Sequence, residues 1–148
     1  MSSEYNETNT KQYCGFKIGE DSFAISVLRV QEIIRSHSLT IIPEAPTHIK
    51  GLINLRGQIV TAVSLRTVFK LDEVQSSNYM NIIVQIGEDL YAIMVDEILD
   101  VLEVSEDTYE PTPENIDSKL SEYITGVHKL KDRLLILLDL DKLLSMDN

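Results

Sequence analysis

The chain has 148 residues, 13 basic against 24 acidic, for a formal net charge of −11. That length suits one compact unit or two very small ones sharing a core. The acidity argues against nucleic acid or an anionic membrane as partner, since both need a basic footprint.

The N-terminal MSSEYNETNTKQ is polar and has no apolar run, so it does not read as a signal peptide. Residues 1–11 are expected to be a disordered tail and 12–148 a single domain. Cys14 is the lone cysteine, which rules out an internal disulfide and fits a reducing cytoplasm. Its apolar neighbours place it in a core strand. Gly19-Glu20-Asp21 lies between two β-like runs and predicts a hairpin turn. After it, Phe23, Ile25 and Val27 alternate with Ser22, Ala24 and Ser26, the period of a half-buried strand. Pro43 and Pro46 mark a loop or edge segment. Leu52–Leu55 and Gln58–Val63 then read as strands joined by a tight Arg56-Gly57 turn. Leu65, Val68 and Phe69 shift to helical spacing behind the capping residue Ser64.

The chain then repeats itself. GEDSFAISVLRVQEI from Gly19 matches GEDLYAIMVDEILDV from Gly87. GLINLRGQIVTAVSLRTVF from Gly51 matches GVHKLKDRLLILLDLDKLL from Gly126, in the same order. The second copy therefore predicts a Gly87-Glu88-Asp89 turn and a Lys131-Asp132 turn. It also predicts a strand over Arg133–Leu138 and a short helix capped by Asp139. The extra residues of this copy fall in the stretch around PTPEN, read as a loop opening a short helix up to Leu120. The two halves run roughly over 20–75 and 85–146, with strands free to cross over. A β unit of ~60 residues is marginal alone, so the two are expected to bury a face against each other. The fold class is all-β, two small barrels, and their junction is a natural binding groove.

Motifs for catalysis are missing. His37, His48 and His128 form no zinc spacing, and each reads as a surface or turn residue. There is no GxSxG, no GxGxxG and no GxxxxGK[ST]. Asp96, Glu97, Asp100, Glu103, Glu106 and Asp107 crowd together without calcium-loop spacing. They read as a solvated acidic edge guarding a strand. With no Trp, neither a sugar cleft nor an aromatic-lined SH3 peptide groove is expected. No metal or cofactor is implied. The residues alone lead to a two-lobed β-module that binds something, and not to an enzyme.

Three stretches carry a resemblance: FAISVLRVQEII (Phe23–Ile34), IIPEAPTHIKGLINLRGQIVTAVSLRTVF (Ile41–Phe69) and YAIMVDEILDVLEV (Tyr91–Val104). They resemble the CheW family of bacterial chemotaxis couplers, and Gly126–Leu144 continues the match. The resemblance implies two intertwined five-stranded SH3-like barrels, each half ending in a short helix. It implies no catalysis. It implies a cytoplasmic adaptor between chemoreceptor cytoplasmic tips and the regulatory domain of the CheA histidine kinase, recruited to receptor arrays. A coupler in a related chemosensory pathway fits equally. The chain's length leaves no room for a kinase or receiver domain, as in a stand-alone coupler. The family's receptor-facing positions fall on Val30, Glu32 and Arg56, with Glu32 and Arg56 expected as neighbours. Thr61 and Ser64 depart from the family's usual Pro and Asp. The second change is expected to remove an Asp–Arg contact at Arg66.

Overall fold

The structure is a computed structural model that describes residues 10–73, 78–114 and 118–145. Strands β1 (Thr10–Ile18) and β2 (Asp21–Ser26) form a hairpin, followed by a 3-10 turn (Val27–Arg29) and β3 (Val30–Arg35). A long segment leads to the β4 (Ile49–Leu55) and β5 (Gln58–Ser64) hairpin and to α1 (Leu65–Val68). The second copy runs β6 (Met80–Ile86), β7 (Asp89–Val95), β8 (Glu97–Ser105), a 3-10 turn (Glu106–Thr108) and β9 (Tyr109–Glu110). It ends with α2 (Ser118–Ser121), β10 (Ile124–Lys129), β11 (Leu134–Leu138) and α3 (Leu140–Leu144). β1 thus takes in the last two residues of the stretch expected as tail, and residues 1–9 lie outside the described ones.

The strands form a five-stranded sheet, β3-β6-β7-β5-β4, and a six-stranded one, β8-β1-β2-β11-β10-β9. The repeat explains this order. Each copy donates its opening hairpin to the sheet built by the other: β1–β2 sit among β8, β10 and β11, and β6–β7 among β3, β4 and β5. In each sheet one contact between copies is parallel, β7 on β5 or β2 on β11, and the other is antiparallel, β6 on β3 or β1 on β8. The expected all-β pair of intertwined small barrels takes the form of two curled sheets, one five-stranded and one six-stranded, neither closed by a ladder. β3 does not pair with β4 in a ladder, and neither does β8 with β9. One sheet also gains the two-residue strand β9.

Burial follows the exchange. Phe23, Ile25, Ile82, Val84, Ile93, Val95, Ile136 and Leu138 meet in a core shared by the two sheets. The alternate residues fill a second interior within each sheet. Ile53, Val60, Ala62, Ile83 and Ala92 do so in the five-stranded one, and Ala24, Val104, Leu135 and Leu137 in the six-stranded one. The half-buried strand expected at 22–27 is thus buried on both faces, with Ser22, Phe23, Ala24 and Ile25 all inside. Alternation still sorts its faces, but both face apolar interiors, because each sheet curls around its own small core. Val27 leaves the strand for the 3-10 turn.

The caps form as expected. Ser64 Oγ accepts from Thr67 N at 3.3 Å, and Asp139 Oδ1 accepts from Lys142 N at 3.1 Å. Cys14 is buried, and burial pushes its thiol pKa up, so it is inert packing. His128 corrects the expectation of a surface or turn role, since it lies on β10 and is 3% exposed, whereas His48 sits in a turn, though only 8% exposed, and His37 is exposed.

Candidate functional site

The Arg56-Gly57 reversal is a two-residue hairpin turn in which both residues have positive φ, 52° and 88°. That mirror-image geometry matches strand twist and favours Gly, Asn or Asp. Gly57 meets the demand, and Asn54 Oδ1 steadies it by accepting from Gly57 N at 3.0 Å. Arg56 does not, since a left-handed conformation costs an ordinary L-residue about 1–2 kcal/mol. Its guanidinium is held by a two-pronged contact: Nη2 donates to Glu32 Oε1 at 2.5 Å and Nη1 to Glu32 Oε2 at 3.2 Å. This hydrogen-bonded pairing lowers the Glu32 pKa and raises that of Arg56. Arg56 follows β4 and Glu32 lies on β3, the two edges of the five-stranded sheet. The ion pair therefore stitches the open seam of the curled sheet while Arg56 stays 67% exposed. A second stitch spans the same seam, where Thr40 and Leu52 exchange backbone bonds of 2.9 and 2.8 Å.

Val30 is separated from that pair. The register of β3 on β6 shifts between Val30 and Glu32, so Val30 sits opposite Val84 and Glu32 opposite Ile83. Val84 belongs to the shared core and Ile83 to the sheet's own interior. The bulge places Val30 on the shared-core side, half-buried, although it is two residues from Glu32. The bulged Gln31 instead donates to Gln85 Oε1 at 2.6 Å.

Ser64 offers Arg66 no carboxylate, and Arg66 finds a distant one instead. Arg66 Nε and Nη2 donate to Asp96 Oδ1 and Oδ2 at 2.9 and 2.7 Å. Asp96 Oδ2 also accepts from Gly19 N at 2.7 Å, in the hairpin of the other sheet. Arg66 lowers the Asp96 pKa, and burial opposes that shift without reversing it. At the departure itself, Ser64 Oγ donates to Glu73 Oε2 at 3.0 Å, and Glu73 also takes Thr67 Oγ1 and the Lys50 ammonium. A carboxylate from Glu73 thus stands beside the helix start where an Asp at 64 would bring its own.

A groove of about 550 Å³ opens beside these pairs, lined by Leu39, Ile41, Met94, Lys50, Arg66 and Asp96 among others. It contains none of Val30, Glu32 or Arg56, and Lys50 and Arg66 are already paired with carboxylates. It carries no charge preference for a ligand. Among the described residues no group of three or more His, Cys, Asp or Glu is placed to hold a metal. Of the acidic run, Asp96 leaves the expected solvated edge to clasp Arg66, while the residues after it follow β8, which closes one side of its sheet, and Glu106 pairs with Lys11 at 3.4 Å. The sequence pattern left Glu73 unmarked, put Asp96 in the solvated edge and put His128 at the surface or in a turn. Their partners lie far away in the chain, and no spacing pattern announces them.

A family model described as CheW-like domain matches residues 12–148. The chain belongs to the CheW-like family. Among CheW proteins it is similar to the chemotaxis protein CheW of Klebsiella aerogenes, 37% identical over 95% of this chain and 86% of that one. It is also similar to CheW of Bacillus subtilis, 30% identical over 90% of this chain and 86% of the relative. The CheW fold is shared too. The scaffolding protein TtCheW from Thermoanaerobacter tengcongensis superposes with a TM-score of 0.77 at 30% identity, covering 86% of this chain and 88% of that one.

Proposed function

We propose that this protein is a non-enzymatic adaptor that couples chemoreceptor cytoplasmic tips to the regulatory domain of the CheA histidine kinase. It works in the cytoplasm, recruited to receptor arrays. Family membership supports the reading, and TtCheW is itself described as a scaffolding protein. Among the described residues no helix is long and apolar enough to cross a membrane. The observation that carries the site is Arg56. A residue type disfavoured at positive φ is kept at an exposed hairpin tip and presented by Glu32. Glu32 and Arg56 offer the receptor a shaped, charged ridge, and Val30 backs the same strand from the core side.

The test is a pair of titrations, one with a receptor cytoplasmic fragment and one with the kinase regulatory domain. Both are expected to bind in the micromolar range. Arg56→Glu weakens the receptor titration at least about tenfold, because it sets like charges against Glu32 and reverses the ridge. It leaves the kinase titration and the melting temperature nearly unchanged. Failure of both partners to bind wild-type protein removes the adaptor reading. Loss of folding in the variant makes Arg56 structural.

A further inference from the structure

The two sheets close their open sides in matching ways. In the five-stranded sheet the segment after β3 crosses β4 through the Thr40–Leu52 bridge, packed so closely that a Cβ on Gly51 would meet Thr40 O at 2.7 Å. In the six-stranded sheet, β9 crosses β10 through Val127–Glu110 and His128–Tyr109. There a Cβ on Gly126 would meet the Tyr109 ring at 2.5 Å. Gly51, Leu52 and Ile53 are the repeat counterparts of Gly126, Val127 and His128. At the third of these positions the first copy holds a fully buried Ile53, while the second holds a titratable histidine in the same kind of interior.

His128 is enclosed by the strap that covers it. Thr108 Oγ1 donates its single proton to Ser105 O at 3.0 Å. Its 2.8 Å contact with His128 Nδ1 is therefore an N–H donated by the imidazole. Tyr109 sets its ring edge-on to His128 at 5.6 Å and donates its hydroxyl to Thr125 O at 2.8 Å. From β1, Tyr13 covers the other side at 5.7 Å. Leu135 on β11 lies opposite in register and is fully buried. The charged groups nearby are Lys11 on β1 and Glu106 in the 3-10 turn. They pair with each other at 3.4 Å, so their effects on the ring oppose. Glu110 and Lys129 pair at 3.5 Å on the flank.

We infer that His128 is a proton-sensitive catch for the strap Glu106–Glu110: the neutral imidazole lets the strap close over β10, and protonation releases it and bares the β10 edge. A charged ring in this enclosure has only Glu106 to offset it, and Glu106 is already paired with Lys11, whereas an opened strap lets water reach the ring. Burial accordingly lowers the folded-state pKa of His128 below the ordinary histidine value. The sign follows from linkage. The open form binds a proton more readily than the closed one, so closure weakens as pH falls below about 6.5. The first strap has Ile53 in place of the histidine and stays closed. This catch does not depend on receptor or kinase binding.

Hydrogen exchange by mass spectrometry on the full chain tests it, at about pH 7.5 and about pH 5.5, with intrinsic rates corrected. Protection of 106–110 is expected to fall up to about tenfold between the two, the most a single unit below the free-histidine pKa allows. Protection around Thr40–Leu52 is expected to hold. His128→Ile, which imports the residue of the sister position, removes the pH response. Should that variant not fold, His128→Asn serves the same comparison. NMR titration of the wild-type ring gives an independent readout, with a midpoint that tracks strap exchange. A flat strap response in wild type overturns the catch. So does an equal loss in both straps, an unchanged response in the variants, or a ring that titrates without strap opening.

Discussion

The β4–β5 and β10–β11 hairpins occupy matching places in the repeat, yet they reverse the chain differently. The first turns in two residues with positive φ at Arg56 and Gly57 and reaches across to Glu32. The second loosens over Leu130–Arg133, closed by Leu130 N donating to Arg133 O at 2.9 Å, and neither Lys131 nor Asp132 has positive φ. The helices that follow show the same divergence. Arg66 on α1 clasps Asp96, while its repeat counterpart Asp141 on α3 takes Arg29 at 3.1 Å, the charges exchanged. Buried positions kept the duplication because both copies must fill the same shared core. Tips and clasps were free to differ because water solvates whatever charge is placed there.

The strongest test of that equivalence is in the shared core. Ile25→Ala and Ile93→Ala remove matching side chains from one cluster. Each is expected to cost about 2–5 kcal/mol in denaturant unfolding. A gap between them wider than that whole range breaks the equivalence.

Next come the two crowded glycines. Gly51→Ala sets a methyl against the Thr40 carbonyl at a φ of 152°, so backbone must shift, and about 1–3 kcal/mol is lost. Gly126→Ala meets the Tyr109 side chain first, and that ring can swing out with the strap. Its smaller cost in urea unfolding is expected to come with faster proteolysis near Tyr109.

The clasps rank below these. Arg66→Ala strips a carboxylate that is 29% exposed and is expected to cost about 1–3 kcal/mol. Arg29→Ala frees an Asp141 that is 69% exposed, and about 0–1 kcal/mol is expected. Thermal melts of the two variants separate the cases. Because Arg66 keeps the folded pKa of Asp96 depressed, its contribution is full above about pH 4 and fades as pH falls through the folded value. Asp96→Asn is expected to flatten that acid-side loss.

The smallest effect is at the tip. Arg56→Asn relieves positive φ and gives up an exposed ion pair, so a slight rise in melting temperature is expected. Receptor binding is expected to weaken. Lys131→Asn has no such strain to relieve, and its melt is expected to match wild type.

Much of this was legible in the chain. The hairpin turns at Gly19 and Gly87, the caps Ser64 and Asp139, and the Arg56-Gly57 reversal are local events, set by backbone preference within a few residues. The Glu32–Arg56 contact came from resemblance, since nothing in the spacing joins positions 24 apart. Which face Val30 shares with Glu32 was not legible, because a single bulge at Gln31 reverses the faces and a bulge leaves no mark in an apolar–polar pattern. His128 reads from the sequence as a surface or turn residue because polarity alone carries no address. Its interior place shows only when Ile53 is set beside it as the repeat counterpart.

By itself the sequence determined the strands, the turns, the short capped helices and the duplication, because period, propensity and capping act over a few residues. Only the tertiary structure decided which copy each hairpin joins and which face of each strand meets which core. It also decided which distant carboxylate each arginine finds. Those choices depend on burying two small sheets that cannot stand alone, and the partners they bring together lie up to 112 residues apart.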